Sequence, residues 1–110
     1  MPNTFTRKLS RSIGTSAVAI GSYTVGSNTE TTVIGLTLAN RTASEVLAKV
    51  RLNDGTNDTF IVSDAPIPAG SSLVVVGGDQ KVVLVTNDSI TVESDTASSI
   101  DAIMSILEIT

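Results

Sequence analysis

Apolar and polar residues alternate most cleanly along Glu45–Leu52, where Val46, Ala48, Val50 and Leu52 fall on one side and Glu45, Lys49 and Arg51 on the other. A period of two is the signature of a half-buried strand; a helix would scatter those four apolar residues around its axis. Asn53-Asp54-Gly55-Thr56-Asn57 follows, and Asp-Gly between alternating runs predicts a hairpin into Asp58–Val62. Thr31–Ala39 reads as a strand with Ile34, Leu36 and Leu38 on one face and Gly35 on the other, where a neighbour could approach closely. Thr15–Ile20 and Ser22–Val25 flank Gly21 as one kinked strand or two short ones. The stretch Asp64–Ser94 holds three Val- and Ile-rich runs, Leu73–Val76, Val82–Thr86 and Ser89–Glu93. Turns at Gly77-Gly78-Asp79 and Asn87-Asp88 separate them, and the first is expected to close a hairpin.

The last run behaves differently. Along Ile100–Ile109, Ile100, Ala102, Met104 and Ile106 occupy one face, while Ile103, Leu107 and Ile109 occupy the other, interrupted by Asp101 and Ser105. A strand in a two-sheet sandwich needs one apolar face, because the other meets water. A second apolar face requires a cover, either a neighbouring subunit or the N-terminal segment folded back.

About eight short strands with no helical start or stop signals predict an all-β fold, a single two-sheet β-sandwich. Periodicity leaves immunoglobulin-like and jelly-roll topologies equally open. The expected core is Val46, Val50, Leu52, Phe60, Val62, Ile90 and Val92. Residues 1–12 are polar without evident alternation and read as an extended N-terminal arm, leaving 13–110 as the sandwich domain. At 110 residues the chain has room for one core. With 41% apolar but only 3% aromatic residues, that core must be aliphatic.

Charge adds a polarity to the chain. The first 29 residues carry Arg7, Lys8 and Arg11 and no acid, whereas the remainder carries a net −7. An acidic body lacks the basic stripe that nucleic acid requires, so no nucleic-acid partner is expected. The basic arm could dock on an acidic neighbouring copy. Ala17-Val18-Ala19 imitates a signal-peptidase site, but the apolar stretch before it is too short for a signal peptide, and no run is long enough to span a membrane.

Candidate chemistry is sparse. The chain has no histidine and no cysteine, so the commonest general base and the thiol nucleophile are missing, as is any disulfide. No catalytic residues, metal ligands or cofactor-binding residues are assigned; the expectation is a protein that is not an enzyme and takes no small-molecule substrate. Asn53–Asp58 is rich in oxygen ligands for calcium but lacks the spacing of an EF-hand loop, and it reads as a turn. Gly77-Gly78-Asp79 is followed by neither a helix nor Lys-Ser/Thr, which excludes a phosphate loop. A glycan-binding surface would have to rest on Phe5, Tyr23 or Phe60.

Taken over nearly its whole length, the chain resembles small structural proteins of tailed bacteriophages, particularly those of cyanobacteria and other marine bacteria. The resemblance runs through FTRKLSRSIGTSAVAIGSYTV, TTVIGLTLANRTASEV, RLNDGTNDTFIVSDAPIPAGSSLVVVGGDQKVVLVTNDSITVES and ASSIDAIMSILEIT. It implies a virion component assembled in the host cytoplasm: a capsid decoration (cement) protein first, a neck, collar or tail accessory second. A module that binds a glycan or host surface is the alternative class. The expected partners are copies of itself, in a homo-oligomer, and other virion proteins. The interface is expected at Arg7, Lys8 and Arg11 of the arm and at Ile103, Leu107 and Ile109 of the final strand.

Overall fold

The computed structural model describes residues 3–77 and 81–110. Its strands are β1 (Asn3–Ile13), β2 (Val18–Ala19), β3 (Glu30–Asn40), β4 (Val46–Asn53), β5 (Asp58–Ile67), β6 (Ser72–Val76), β7 (Val82–Leu84), β8 (Ser89–Ser94) and β9 (Ile100–Ile109). A 3-10 turn at Ile20–Ser22 follows β2, with Gly21 at φ 61°. The strands form two antiparallel sheets. One is five-stranded, ordered β1-β9-β3-β6, with β7 also paired to β3; the other is four-stranded, ordered β2-β8-β4-β5.

Those pairings nest. β4 pairs β5, β3 pairs β6 and β7, β2 pairs β8, and β1 pairs β9. The chain is one long antiparallel ribbon, closed at the β4–β5 hairpin and rolled so that successive pairs fall in alternate sheets. This arrangement is a jelly roll, and it decides between the two sandwich topologies.

The β4–β5 hairpin is built as its sequence predicts. Asp54 Oδ1 accepts from the N–H groups of Thr56 (2.9 Å) and Asn57 (2.7 Å), and Asn53 Oδ1 accepts from that of Gly55 (2.8 Å). Those backbone bonds hold the Asp54 carboxyl below its usual range. Gly55, at φ 98°, occupies a backbone region that favours glycine. The oxygens that invited a calcium reading therefore serve the turn.

Inward-facing residues of both sheets make the core, with Leu36, Leu38, Val46, Val50, Val92, Met104 and Ile106 fully enclosed. Val46, Val50, Ile90 and Val92 are buried as expected, and Leu52 and Val62 pack partly buried against them. Phe60 is a correction: it is 50% exposed. Val50 pairs with Val62 but Arg51 pairs with Phe60, so Ile61 is an extra residue in a β-bulge. One inserted residue turns the following side chain to the opposite face. The same effect displaces Ile34. A bulge between Val33 and Gly35 sends Val33 into the core and leaves Ile34 half-buried away from it.

Two further expectations change. β6 and β7 do not pair with each other; each runs antiparallel to β3, β6 along Leu36–Ala39 and β7 along Thr31–Val33. They form one interrupted strand rather than a hairpin; Gly78 and Asp79 of the expected turn lie outside the described residues. The expected arm is also absent from Asn3 onward, because Asn3–Ile13 is an edge strand paired to β9. Its alternation is masked in the sequence because its polarity is inverted. Thr4, Thr6, Lys8 and Ser10 lie opposite Glu108, Ile106, Met104 and Ala102 on the inner side, while Phe5, Arg7 and Leu9 face outward.

Candidate functional site

Strand β9 builds the site by strict alternation. Ile100, Ala102, Met104 and Ile106 are buried, whereas Ile103 is 51% exposed and Leu107 and Ile109 are partly exposed. The flanking strands extend its outer side through their register, since directly opposed residues of an antiparallel pair share a face. One transverse row is Phe5, Leu107, Thr32 and Val83. A second is Leu9, Ile103, Thr37 and Val74. Between them lies a low row of Arg7, Ser105 and Gly35.

The outer face of the five-stranded sheet therefore carries two mainly apolar rows, with Thr32 and Thr37 within them and Arg7 and Ser105 between them. Phe5 (75%), Val74 (63%) and Val83 (62%) are among the most exposed large hydrophobic residues described. A groove of about 210 Å³ opens between β1 and β9 beside Leu9, Arg11 and Ile103. No other part of the described chain covers this face. The N-terminal segment lies beside β9 as a strand and enlarges the face instead of folding across it.

Of the six residues expected at an interface, Arg7, Ile103, Leu107 and Ile109 share this outer face, and Arg11 lines its groove. Lys8 departs from them. It lies opposite Met104 on the inner side, and its Nζ stands 5.0 Å from the centroid of the Tyr23 ring. Sequence reasoning missed Phe5, Leu9, Val74 and Val83. The first two belong to the inverted strand; the others sit inside the uninterrupted apolar runs Leu73–Val76 and Val82–Val85, where a period of two leaves no trace.

Polar groups of the same sheet point inward. The Tyr23 hydroxyl donates to Glu108 Oε2 at 2.7 Å and bonds Thr31 Oγ1, also at 2.7 Å. Burial, with the adjacent Glu108 carboxylate adding to it, pushes the Tyr23 hydroxyl up to about 12. Of the three aromatic residues on which a glycan site could rest, Tyr23 is buried, and Phe5 and Phe60 lie on opposite outer faces. Among the described residues, no cluster of three or more acidic side chains could hold a metal ion.

The four-stranded sheet presents a different outer face. Arg51 bonds Glu93 at 2.8 Å, Lys49 bonds Asp64 at 2.6 Å, and the Arg51 guanidinium lies 5.1 Å from the Phe60 ring centroid. Its charges are largely satisfied among themselves.

No protein-family model matches the chain, and no curated protein matches it in sequence. Solved structures do match in shape. A subunit of the endospore appendages of Bacillus, described as disulfide-linked pili, superposes with TM-score 0.55 at 14% identity, over 100% of this chain and 91% of its own. A chain of the acid-stable capsid of Helicobacter pylori bacteriophage KHP30 gives TM-score 0.57 at 10% identity, over 98% and 87%. The Drosophila NLP core, described in terms of pentamer formation and histone binding, gives 0.50 at 12% identity, over 96% and 98%. At these identities the likeness is one of fold.

Proposed function

We propose that this chain is a non-enzymatic structural subunit of a tailed-bacteriophage virion, a capsid decoration (cement) protein, which self-associates or docks on a larger shell through the outer face of its five-stranded sheet. The observation that carries the reading is that face. A mainly apolar surface spanning β1, β9, β3, β6 and β7 is a cost in water unless another molecule covers it. Its support is threefold: the jelly roll is a fold used by viral capsid domains, one of the matched structures is a phage capsid chain, and the sequence resembles phage structural proteins. The absence of histidine and cysteine removes the commonest general base and the thiol nucleophile. It also removes the disulfide linkage described for the Bacillus pili, so copies of this chain cannot be joined to each other by a disulfide.

A neck, collar or tail accessory uses the same face and differs only in where the subunit sits. A glycan-binding module has less support, because its three aromatic residues do not form one platform. Mass spectrometry and immunogold labelling of purified phage particles test the proposal. Stoichiometric recovery on the capsid is expected. Recovery at the tail would move the subunit to the accessory position, and consistent absence from particles would overturn the virion reading.

A further inference from the structure

We infer that two copies of this chain pack face to face through their five-stranded sheets, about a two-fold axis running parallel to the strands between β9 and β3. The inference rests on the structural-subunit reading and specifies its interface.

Gly35 is the starting point. It sits in a central strand, where glycine weakens pairing and contributes no side chain. Its φ lies outside the left-handed region, so the backbone does not demand glycine there. A Cβ added to it would make only ordinary contact, 3.7 Å from the Val76 carbonyl oxygen. The folded chain has room for a larger residue that would suit the strand better. The bulge between Val33 and Gly35 could also favour glycine, but it imposes no left-handed φ there, and close approach from outside is the reason that the exposed face supplies. Ser105, small like the half-buried Gly35 and itself exposed, lies directly opposite it on β9, so the two form a low waist between the apolar rows.

The rows themselves identify the occupant. Each runs from large residues on the β1–β9 side to small ones on the β3–β6/β7 side. A two-fold axis parallel to the strands reverses the order, placing Phe5 of one copy over Val83 of the other and Ile103 over Thr37. Ser105 then meets Gly35 at the waist. Large meets small at every step, as close packing requires. An axis perpendicular to the strands would instead lay each strand on itself and press Arg7 against Arg7. The parallel axis separates the two arginines by three inter-strand steps, about 14 Å. The face is four strand positions wide, at ~4.8 Å each, and about ten residues long, at ~3.3 Å each; its outline of roughly 600 Å², raised by side-chain relief, is of the order of the ~800 Å² per partner of a standard stable interface.

Analytical ultracentrifugation of the full chain tests the dimer, with Gly35→Val and Ser105→Phe as two independent ways to fill the waist. The wild type should dimerise, and each variant should weaken dimerisation at least tenfold while keeping the wild-type circular dichroism spectrum. Urea unfolding of Gly35→Val at monomeric concentration should show an unchanged or higher midpoint; if this variant misfolds, Ser105→Phe, on an exposed position, carries the test. The absence of native cysteine makes cross-linking specific. An equimolar mixture of Phe5→Cys and Val83→Cys chains should be joined by a short bis-maleimide. Efficient joining of Phe5→Cys to Leu9→Cys instead would overturn the axis. A wild-type dimer indifferent to both waist variants would overturn the interface while leaving a self-associating subunit intact. A wild type monomeric at every concentration would overturn the dimer, and recovery on purified particles would then leave the virion reading standing without it.

Discussion

The two outer faces of this sandwich have opposite chemistry although the strands behind them share one core. The four-stranded sheet meets water with Lys49, Arg51, Asp64 and Glu93, each held in an ion pair. The five-stranded sheet exposes Phe5, Val74, Val83 and Ile103, and it turns Glu108 and Thr31 inward to the Tyr23 hydroxyl. Antiparallel sheets tolerate solvent on one side when that side is polar. The first sheet meets this condition and the second does not. The contrast separates a surface finished within the chain from one that a further molecule completes.

The alternation of β9 is where the contrast breaks most readily. Ile106→Ala, on a fully buried inward residue, should cost about 2–5 kcal/mol in urea unfolding. Ile103→Ala, three residues away on the outer face, should change the dilute monomer by no more than about 0.5 kcal/mol. Equal losses from the two would mean that the outer side of β9 is already covered within the chain.

A second test uses the inward polar cluster. Tyr23 is the single tyrosine, so absorbance follows its ionisation alone. Its folded value of about 12 lies above its ordinary value of 10.0. The neutral hydroxyl thus stabilises the fold fully below about pH 10. That contribution is lost as pH rises through about 12, a change on the order of 2 kcal/mol. In Tyr23→Phe the corresponding part of the alkaline slope should disappear. Ionisation near pH 10 in the native protein would show that the hydroxyl is open to water and the cluster is not closed.

Legibility in the sequence followed the range of the interactions. The β4–β5 hairpin was readable because its turn chemistry and alternation are local, and the double apolar face of β9 because ten residues display it unaided. Nesting of the ribbon was not readable. The runs of Asp64–Ser94 look like successive hairpins, yet their partners lie far back in the chain, with β8 pairing β4 and β2, and β6 and β7 pairing β3. Phe60 and Ile34 failed for a different reason: single-residue bulges reversed faces that strict periodicity would have carried through. The inverted edge strand β1 could have been recognised from Phe5, Arg7, Leu9 and Arg11 alternating with Thr4, Thr6, Lys8 and Ser10. Its weakness is that neither side of that alternation is uniformly apolar.

On the charged face the expected effects are smaller. The Arg51 and Glu93 side chains are 18% and 27% exposed, and a pair at that depth contributes about 0.5–1 kcal/mol. Glu93→Gln should therefore destabilise by no more than about 1 kcal/mol. The loss should shrink with added salt, because exposed charges are screened over about 10 Å at 0.1 M. Self-association should be unchanged. A Glu93→Gln variant that dissociates would place the interface on the wrong sheet.

The smallest effect lies with Phe60, the one large apolar side chain that a bulge turns out among these charges. Its ring does not stand bare, because the Arg51 guanidinium is 5.1 Å from its centroid. Cation–π attraction at exposed sites is worth about 0.5–1 kcal/mol. Phe60→Leu retains most of the apolar area while removing the quadrupole, so a double-mutant cycle of Phe60→Leu with Arg51→Met isolates the attraction. A coupling of about 0.5 kcal/mol is expected. That would explain how an exposed phenylalanine is accommodated here without a partner molecule, unlike Phe5, for which no such cation contact is described. A coupling of zero in a dilute monomer would leave Phe60 as unsupported as Phe5. The four-stranded face would then have an uncovered apolar site of its own, and the division between a finished and an unfinished surface would narrow.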